Sequence, residues 1–287
     1  MSNLSDAPTD TSQIDRVAFI GGGNMAQALG LGLIGEQLRA GDILVVDPNA
    51  TARAPWEAAG TTATNAIDST LADYNIWVLA VKPQQLKAVI ESCRPHLRSN
   101  TLVLSVAAGI RATDIARWLG TDSAPFQRVV RCMPNTPALI QQGVTGMLAL
   151  TGVQDDEKQI ASNLLAQVGK VVWVDDDAAV DAVTALSGSG PAYVFLFLEA
   201  LIEGGVALGL GADQARALAL QTVAGAAALA AQSDSSIEQL RHNVTSEGGT
   251  TAAALAVFQD ADFKKIVQRA QSAAQKRAQT MADEFSK

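Results

Sequence analysis

The residues Gly21-Gly22-Gly23-Asn24-Met25-Ala26 follow directly on a short apolar run at residues 16–20. The order G-x-G-x-x-A at the end of a strand suits a dinucleotide pyrophosphate. Gly21 permits a tight turn. Gly23 removes a side chain where phosphate must approach the backbone, and Ala26 lets the next helix pack close to the sheet. The helix that follows offers unpaired amides and a partial positive charge at its start, which attract an anion. Asp47 ends a second apolar run, where a carboxylate bonds a ribose 2′-hydroxyl and favours NAD; Arg53, about one helical turn on, suits a 2′-phosphate instead. Asp47-Pro48 reads equally well as a plain turn and helix start, so the residues alone leave NAD and NADP open. Ala80-Val81-Lys82-Pro83-Gln84 and Ala107-Ala108-Gly109 end two further strands, at the edge where open parallel sheets bind ligands; each also reads as a tight strand-to-helix connection.

Two clusters of hydroxyls and glycines lie in the second half. Thr184, Ser187 and Ser189 precede Gly190-Pro191, which suits the first turn of a helix. Ser246, Gly248, Gly249, Thr250 and Thr251 precede another expected helix at 252–258. Each cluster alone reads as N-cap chemistry. Together, at the starts of two helices, they make a cradle of N–H and O–H donors for a carboxylate. Such donors suit hydride reduction of a C=N bond, whose carbon is electrophilic once the nitrogen is protonated. No strong general base is then needed, and two histidines in the whole chain suffice.

The elements that must carry these residues follow from patterning. In the first half, apolar strands at 16–20, 43–47, 76–80, 102–106, 128–132, 146–150 and 171–174 alternate with helix-like stretches, the first at 27–38. Near-continuous apolar strands separated by helices imply a parallel sheet covered on both faces. After Asp175-Asp176-Asp177 no strand pattern recurs and alanine-rich helix formers dominate. The expected architecture is therefore α/β: a loose polar tail (1–14), a Rossmann-type doubly wound domain (15–175) and an all-helical domain (176–287). The helix expected at 193–208 is apolar nearly all round, so a second subunit is needed to cover it. It carries Glu199 and Glu203, which a membrane span would exclude.

Composition removes other classes. The 287 residues, 48% hydrophobic and 17% charged, are ordinarily globular, and a net charge of -8 without a basic block argues against nucleic acid. Two cysteines are too few for a disulfide framework or a cysteine zinc site and read as buried reduced thiols. The tail lacks the apolar core of a signal peptide, so a cytoplasmic protein is expected.

Taken together, the motifs resemble the pyrroline-5-carboxylate reductase family. The likeness rests on residues 21–25, Ala80-Val81-Lys82-Pro83, Ala107-Ala108-Gly109, Met133-Pro134-Asn135-Thr136-Pro137-Ala138, the run from Leu186 through Ser187, Ser189 and Pro191 to Tyr193, and residues 244–251. It extends in order from about Arg16 to Phe285. The resemblance implies reduction of 1-pyrroline-5-carboxylate to L-proline, mostly with NADPH, with NADH accepted in some members. It implies a homodimer through the helical domain, often five dimers in a ring. It places residues 21–25 and 81–83 on the cofactor, Asn65 near the adenosine and residues 107–109 near the nicotinamide. Thr184 matches the hydroxyl that orients the imine nitrogen; Gly249, Thr250 and Thr251 match the donors to the substrate carboxylate. Two residues depart from the family pattern: Glu247, where proline is frequent, and Asp47, where some NADPH-using relatives carry a small polar residue. The side chain of Glu247 is expected to point to solvent. Two rivals are a non-catalytic nucleotide-binding oligomer, which has no need of Thr184 or the Thr250-Thr251 loop, and a hydroxyacid-type dehydrogenase, which needs an acid/base lysine that residues 171–216 lack.

Overall fold

A computed structural model of the chain describes residues 16–286. The expected tail at 1–14 lies outside these residues, as does Lys287. The chain divides into two compact units, one ending at Gly188 and including the segment Gln275–Lys287, the other Ser189–Ala274.

The first unit is built from β1 (Val17–Ile20), α1 (Asn24–Leu31), β2 (Ile43–Val46), α2 (Ala50–Ala58), β3 (Thr62–Thr64), β4 (Ile76–Leu79), α3 (Pro83–Cys93), β5 (Leu102–Ser105), α4 (Ala112–Leu119), β6 (Val129–Met133), β7 (Gly143–Ala149), α5 (Asp155–Ala166) and β8 (Gly169–Trp173). The strands form one sheet in the order β3-β2-β1-β4-β5-β6-β7-β8. The order reverses between β1 and β4, the switch point at which doubly wound sheets bind ligands. Strand residues alternate between two cores, which is why each strand is apolar on both sides. Phe19, Val45, Val78 and Leu104 pack on one face with Leu29 of α1, Trp56 of α2 and Leu164 of α5. Ala18, Leu44, Trp77 and Val103 pack on the other with Leu86 and Ile90 of α3 and Ile115 of α4.

Three expectations are corrected in this unit. The sheet is not wholly parallel, because β6 and β7 pair antiparallel, through Cys132 opposite Met147 and Met133 opposite Gly146. The helix expected at 27–38 ends at Leu31, where Gly32 caps it, and Gly35 at φ +86° turns the chain. β3 carries no apolar run and was not anticipated; it is an edge strand of Thr62, Ala63 and Thr64 paired with β2.

After β8 the chain is helical from 177 to 207. It begins as α6 (Asp177–Val183), passes through a π-helical turn (Thr184–Gly188) and continues as α7 (Gly190–Ala207). The sequence reading put the domain boundary near residue 175, whereas packing divides the chain at Gly188. The physical reason is a buried ion-pair network. Arg131 of β6, 1% exposed, donates from Nη1 to Asp177 (2.6 Å) and from Nη2 to Asp181 (3.1 Å), tying α6 to the sheet.

The second unit holds α7, α8 (Ala212–Gln232), α9 (Ile237–Asn243), α10 (Thr250–Asp260) and the first half of α11 (Phe263–Phe285). Among its described residues only Ala215 and Ala219 are buried. Phe195, Leu196 and Leu218 stand 59%, 67% and 57% exposed. The apolar helix expected at 193–208 is thus present as α7 and uncovered within a single chain.

Removing Arg131 tests the tie between β6 and α6. Arg131→Met leaves the Asp181 carboxylate buried without its cation, and should lower stability by about 3 kcal/mol in urea titration. A loss under about 1 kcal/mol would show that α6 is held by other contacts.

Candidate active site

The turn after β1 is fixed by a sequence requirement for no side chain. Gly21 has φ +99°, and a Cβ there would lie 2.7 Å from the Ala80 carbonyl oxygen at the end of β4. Its N–H donates to the Val46 carbonyl (2.8 Å), while the Ala80 N–H donates to Ile20 (2.8 Å), so the ends of β1, β2 and β4 are stitched together. The next peptide is held on both sides. The Gly22 N–H donates to Asp47 Oδ2 (2.8 Å), and the Gly22 carbonyl accepts from Gln27 Nε2 (2.8 Å) and from the buried Trp56 Nε1 (3.1 Å). Gly23 then caps α1 with no side-chain bond to the first amides, and a Cβ built on it meets nothing within 4 Å. Open space above Gly23 with free helix amides behind it is the form of a phosphate cradle.

A cleft of about 730 Å³ lies over this turn. It brings together Gly21, Gly23, Asp47, Asn65, Ala80, Val81 and Lys82. Asn65 arrives there because the Asp47 N–H donates to the Thr64 carbonyl (3.0 Å), holding the end of β3 against the end of β2. Gly22, Asn24, Met25, Arg53 and Pro83 are not part of the cleft's lining: Pro83 starts α3, and Arg53 donates from Nη1 to the Asp47 carbonyl (2.7 Å). Gln84, at the end of the turn after β4, lines the cleft as expected; sequence reasoning missed Asn49, Gln85 and Ser92, which also line it, and the bracing roles of Gln27 and Trp56. The face of α3 turned to the cleft mixes Gln84, Gln85 and Ser92 with Ala88 and Val89 and gives no motif. Trp56 could have been found as an indole N–H in a helix whose apolar side must face the sheet.

Asp47 is not the free acid that the sequence suggested. Oδ2 accepts from Gly22 and Oδ1 from the Asn49 N–H (2.8 Å), so both oxygens brace backbone. Residues 107–109 follow β5, whose Ser105 pairs with Leu79 of β4, so they leave the sheet on the same edge. They are not part of the cleft's lining. Gly109 has φ +71°, and a Cβ on it would lie 3.2 Å from Met281 of α11.

The first hydroxyl cluster requires a correction. Residues 184–191 were expected to lead into a free helix N-terminus; α7 does start at Gly190 with Pro191 in its first turn, but residues 184–188 form a π-turn that follows directly on α6, so that start is not free. Thr184 Oγ1 donates to the Val180 carbonyl (2.9 Å) and Ser187 Oγ to Val183 (3.0 Å). Ser189 precedes α7 in αR geometry and makes no capping bond, because the chain enters α7 already coiled. The second cluster does open a helix. Gly249 caps α10, which runs over 250–260 rather than 252–258, with no side-chain bond to the amides behind it. Gly248 has φ +70°, the Gly249 N–H donates to the Ser246 carbonyl (3.1 Å), and Glu247 is exposed. Thr250 and Thr251 are the first two helical residues.

Cys93 and Cys132 are both buried; desolvation pushes the Cys93 thiol up to about 12 and raises Cys132 as well, so neither supplies a thiolate near neutral pH. Among the described residues no cluster of side chains is suited to a metal.

Comparison with known proteins places this geometry. Residues 177–281 match a family model described as pyrroline-5-carboxylate reductase dimerisation, and residues 16–109 match one described as NADP oxidoreductase, coenzyme F420-dependent. The chain is 43% identical over 273 residues to a pyrroline-5-carboxylate reductase of Pseudomonas aeruginosa, covering 94% of this chain and 98% of that one. It is 38% identical over 267 residues to one of Pisum sativum, covering 93% and 96%. Among solved structures, a pyrroline-5-carboxylate reductase from Coxiella burnetii superposes with a TM-score of 0.87 at 37% identity, over 94% of this chain and 99% of that one. One from Plasmodium falciparum with NADP bound gives 0.80 at 28% identity, over 93% and 98%. Likeness of this extent, carried through both the glycine turn and the helical half, makes the chain a member of the pyrroline-5-carboxylate reductase family.

Proposed function

We propose that the chain reduces 1-pyrroline-5-carboxylate to L-proline in the cytoplasm, as the last step of proline synthesis, and that it works with NADPH in preference to NADH. The observation that carries this reading is the end-to-end similarity to reductases of that name, with 43% identity over 273 residues. The open position above Gly23 and the uncapped start of α1 fit the pyrophosphate of a dinucleotide. When bound, that cofactor supplies the hydride. The protein's own work is to orient, exclude water and move a proton.

The residues divide this work as follows. Gly21, Gly22, Gly23, Asn24 and Met25 hold the pyrophosphate; Ala80, Val81, Lys82 and Pro83 flank it; Asn65 meets the adenosine; Ala107, Ala108 and Gly109 meet the nicotinamide. Support for NADPH comes from the match of residues 16–109 to an NADP oxidoreductase model, from a relative solved with NADP bound, and from the Arg53 guanidinium, a cation that bonds the backbone carbonyl of the cleft residue Asp47. The Thr184 hydroxyl orients the substrate nitrogen, with Ser187 and Ser189 on the same turn relaying protons from water. The substrate carboxylate is taken by the amides and hydroxyls of Ser246, Gly248, Gly249, Thr250 and Thr251. A hydroxyacid dehydrogenase would need an acid/base lysine, and residues 171–216 contain none. The working form is a homodimer that covers α7, with five dimers as the full assembly.

Five outcomes test this reading. A spectrophotometric assay with 1-pyrroline-5-carboxylate should show turnover with NADPH at a higher kcat/KM than with NADH; the reverse order would remove the role given to Arg53. Gly23→Val should leave the melting temperature within about 2 °C, since its side chain meets no protein atom, yet weaken NADPH binding by at least ~10-fold. Thr184→Ala should lower kcat several-fold with cofactor affinity nearly unchanged, whereas Thr251→Val should chiefly raise KM for the substrate, by roughly 10-fold for one lost bond to a charged group. In sedimentation at micromolar concentration the protein should run at twice the 29.8 kDa chain mass or a multiple of that; a monodisperse monomer contradicts the role of α7.

A further inference from the structure

We infer that Asn135 is a positioning residue for the reduction: its side-chain amide holds the π-turn that carries Thr184. The inference rests on the role proposed for Thr184 and adds the group that sets where its hydroxyl lies.

The need for such a group arises in the sequence. In an α-helix the Ser187 carbonyl would accept from the N–H of residue 191. Residue 191 is Pro191, which has no N–H. The carbonyl accepts instead from Asn135 Nδ2 at 3.1 Å. The other end of the same amide, Oδ1, accepts from the Val144 N–H at 3.0 Å, at the start of β7. Both ends of the Asn135 side chain are therefore committed, and its orientation follows from the two bonds. Asn135 thus clamps the π-turn to the sheet.

Two close approaches place the same clamp sterically. A Cβ on Gly188 would lie 2.5 Å from Met133 Cε, and a Cβ on Gly146 would lie 2.6 Å from Val183 Cγ1. The end of β6 therefore touches the last residue of the turn, and the middle of β7 touches the residue of α6 just before it. Thr184 bonds the Val180 carbonyl, so the direction of its hydroxyl follows the backbone of the turn. A π-turn is one residue longer than the α-turn it replaces, and its collapse would rotate the flanking residues by about 100° relative to each other. An amide that supplies the missing donor keeps the longer turn open. Gly-Asn-Met and Met-Pro-Asn-Thr-Pro, remote in sequence, are also joined here: the short 3₁₀ helix that follows Asn135 (Thr136–Ile140) packs on α1.

The test is a double-mutant cycle on the full-length enzyme, comparing wild type, Thr184→Ala, Asn135→Asp and the double variant. Asn135→Asp keeps the acceptor for Val144 and replaces the donor to Ser187 with a carboxylate oxygen. If Asn135 acts through Thr184, Asn135→Asp lowers kcat by roughly 10-fold, the scale of a displaced reacting group, while the dissociation constant for NADPH stays within about 2-fold. In the Thr184→Ala background the same change then lowers kcat by less than about 2-fold, because the group it positions is already gone. A full second loss in that background, or wild-type kcat in Asn135→Asp, overturns the positioning role while leaving Thr184 in place. Wild-type kcat in Thr184→Ala removes Thr184, and the inference falls with it. Should Asn135→Asp fail to fold, Asn135→Ser, which loses the amide donor without adding a charge, is read through the same cycle.

Discussion

The structure turns on how the Gly22 peptide is held. A phosphate site made of backbone amides needs a chain with no side chains in the way, and such a chain is the one with most freedom to lose. Here the freedom is removed by partners drawn from three elements: the Asp47 carboxylate beyond β2, Gln27 on α1 and the indole N–H of Trp56 on α2. Trp56 in turn stacks obliquely on Phe19 of β1, with ring centroids 5.1 Å apart. The dinucleotide turn is thereby continuous with the hydrophobic core, and its geometry is set before any ligand arrives, which is what preorganised binding requires.

This arrangement changes the meaning of Asp47. An acid at the end of the second strand reads as a ribose ligand, and on sequence alone it argues for NAD. In the fold it is a brace between two backbone amides, one in the glycine turn and one at the start of α2. A substitution at this position made to alter cofactor choice would also release the glycine turn, so cofactor preference and loop order are coupled in this chain.

The sequence made legible what depends on local pattern. The apolar strands, the glycine turn and the all-helical second half follow from periodicity and from residues that only certain backbones accept. What could not be read depends on partners distant in sequence. The reversal of β7 against β6 is decided by the register of Met133 with Gly146, and no local signal carries it. The edge strand β3 is too short and too polar to announce itself. Pro191 rightly marks the start of α7, but nothing local shows that the residues before it are already coiled. The structure keeps the chain coiled through a π-turn, and the donor that Pro191 lacks reaches the Ser187 carbonyl from Asn135, 52 residues before Ser187. Thr184 and Ser187 are then correctly named as hydroxyl-bearing residues, but their backbone amides are not the free donors that a helix N-terminus would offer.

The second unit shows the opposite balance, with nearly every apolar group uncovered. Residues 189–274 bury only two alanines among their described positions, far less than a domain of that size needs to offset the entropy of ordering it. Its helices can approach closely where side chains are small, as where a Cβ on Gly205 would come 3.1 Å from that of Ala215. Close approach within one chain does not remove Phe195, Leu196 or Leu218 from water. Burying each of these side chains is worth about 2 kcal/mol. Residues 177–281 match a dimerisation model, and an apolar surface of this kind is what a half of the chain that associates would present. A unit with so little core of its own gains stability by associating, and to that extent its stability depends on protein concentration.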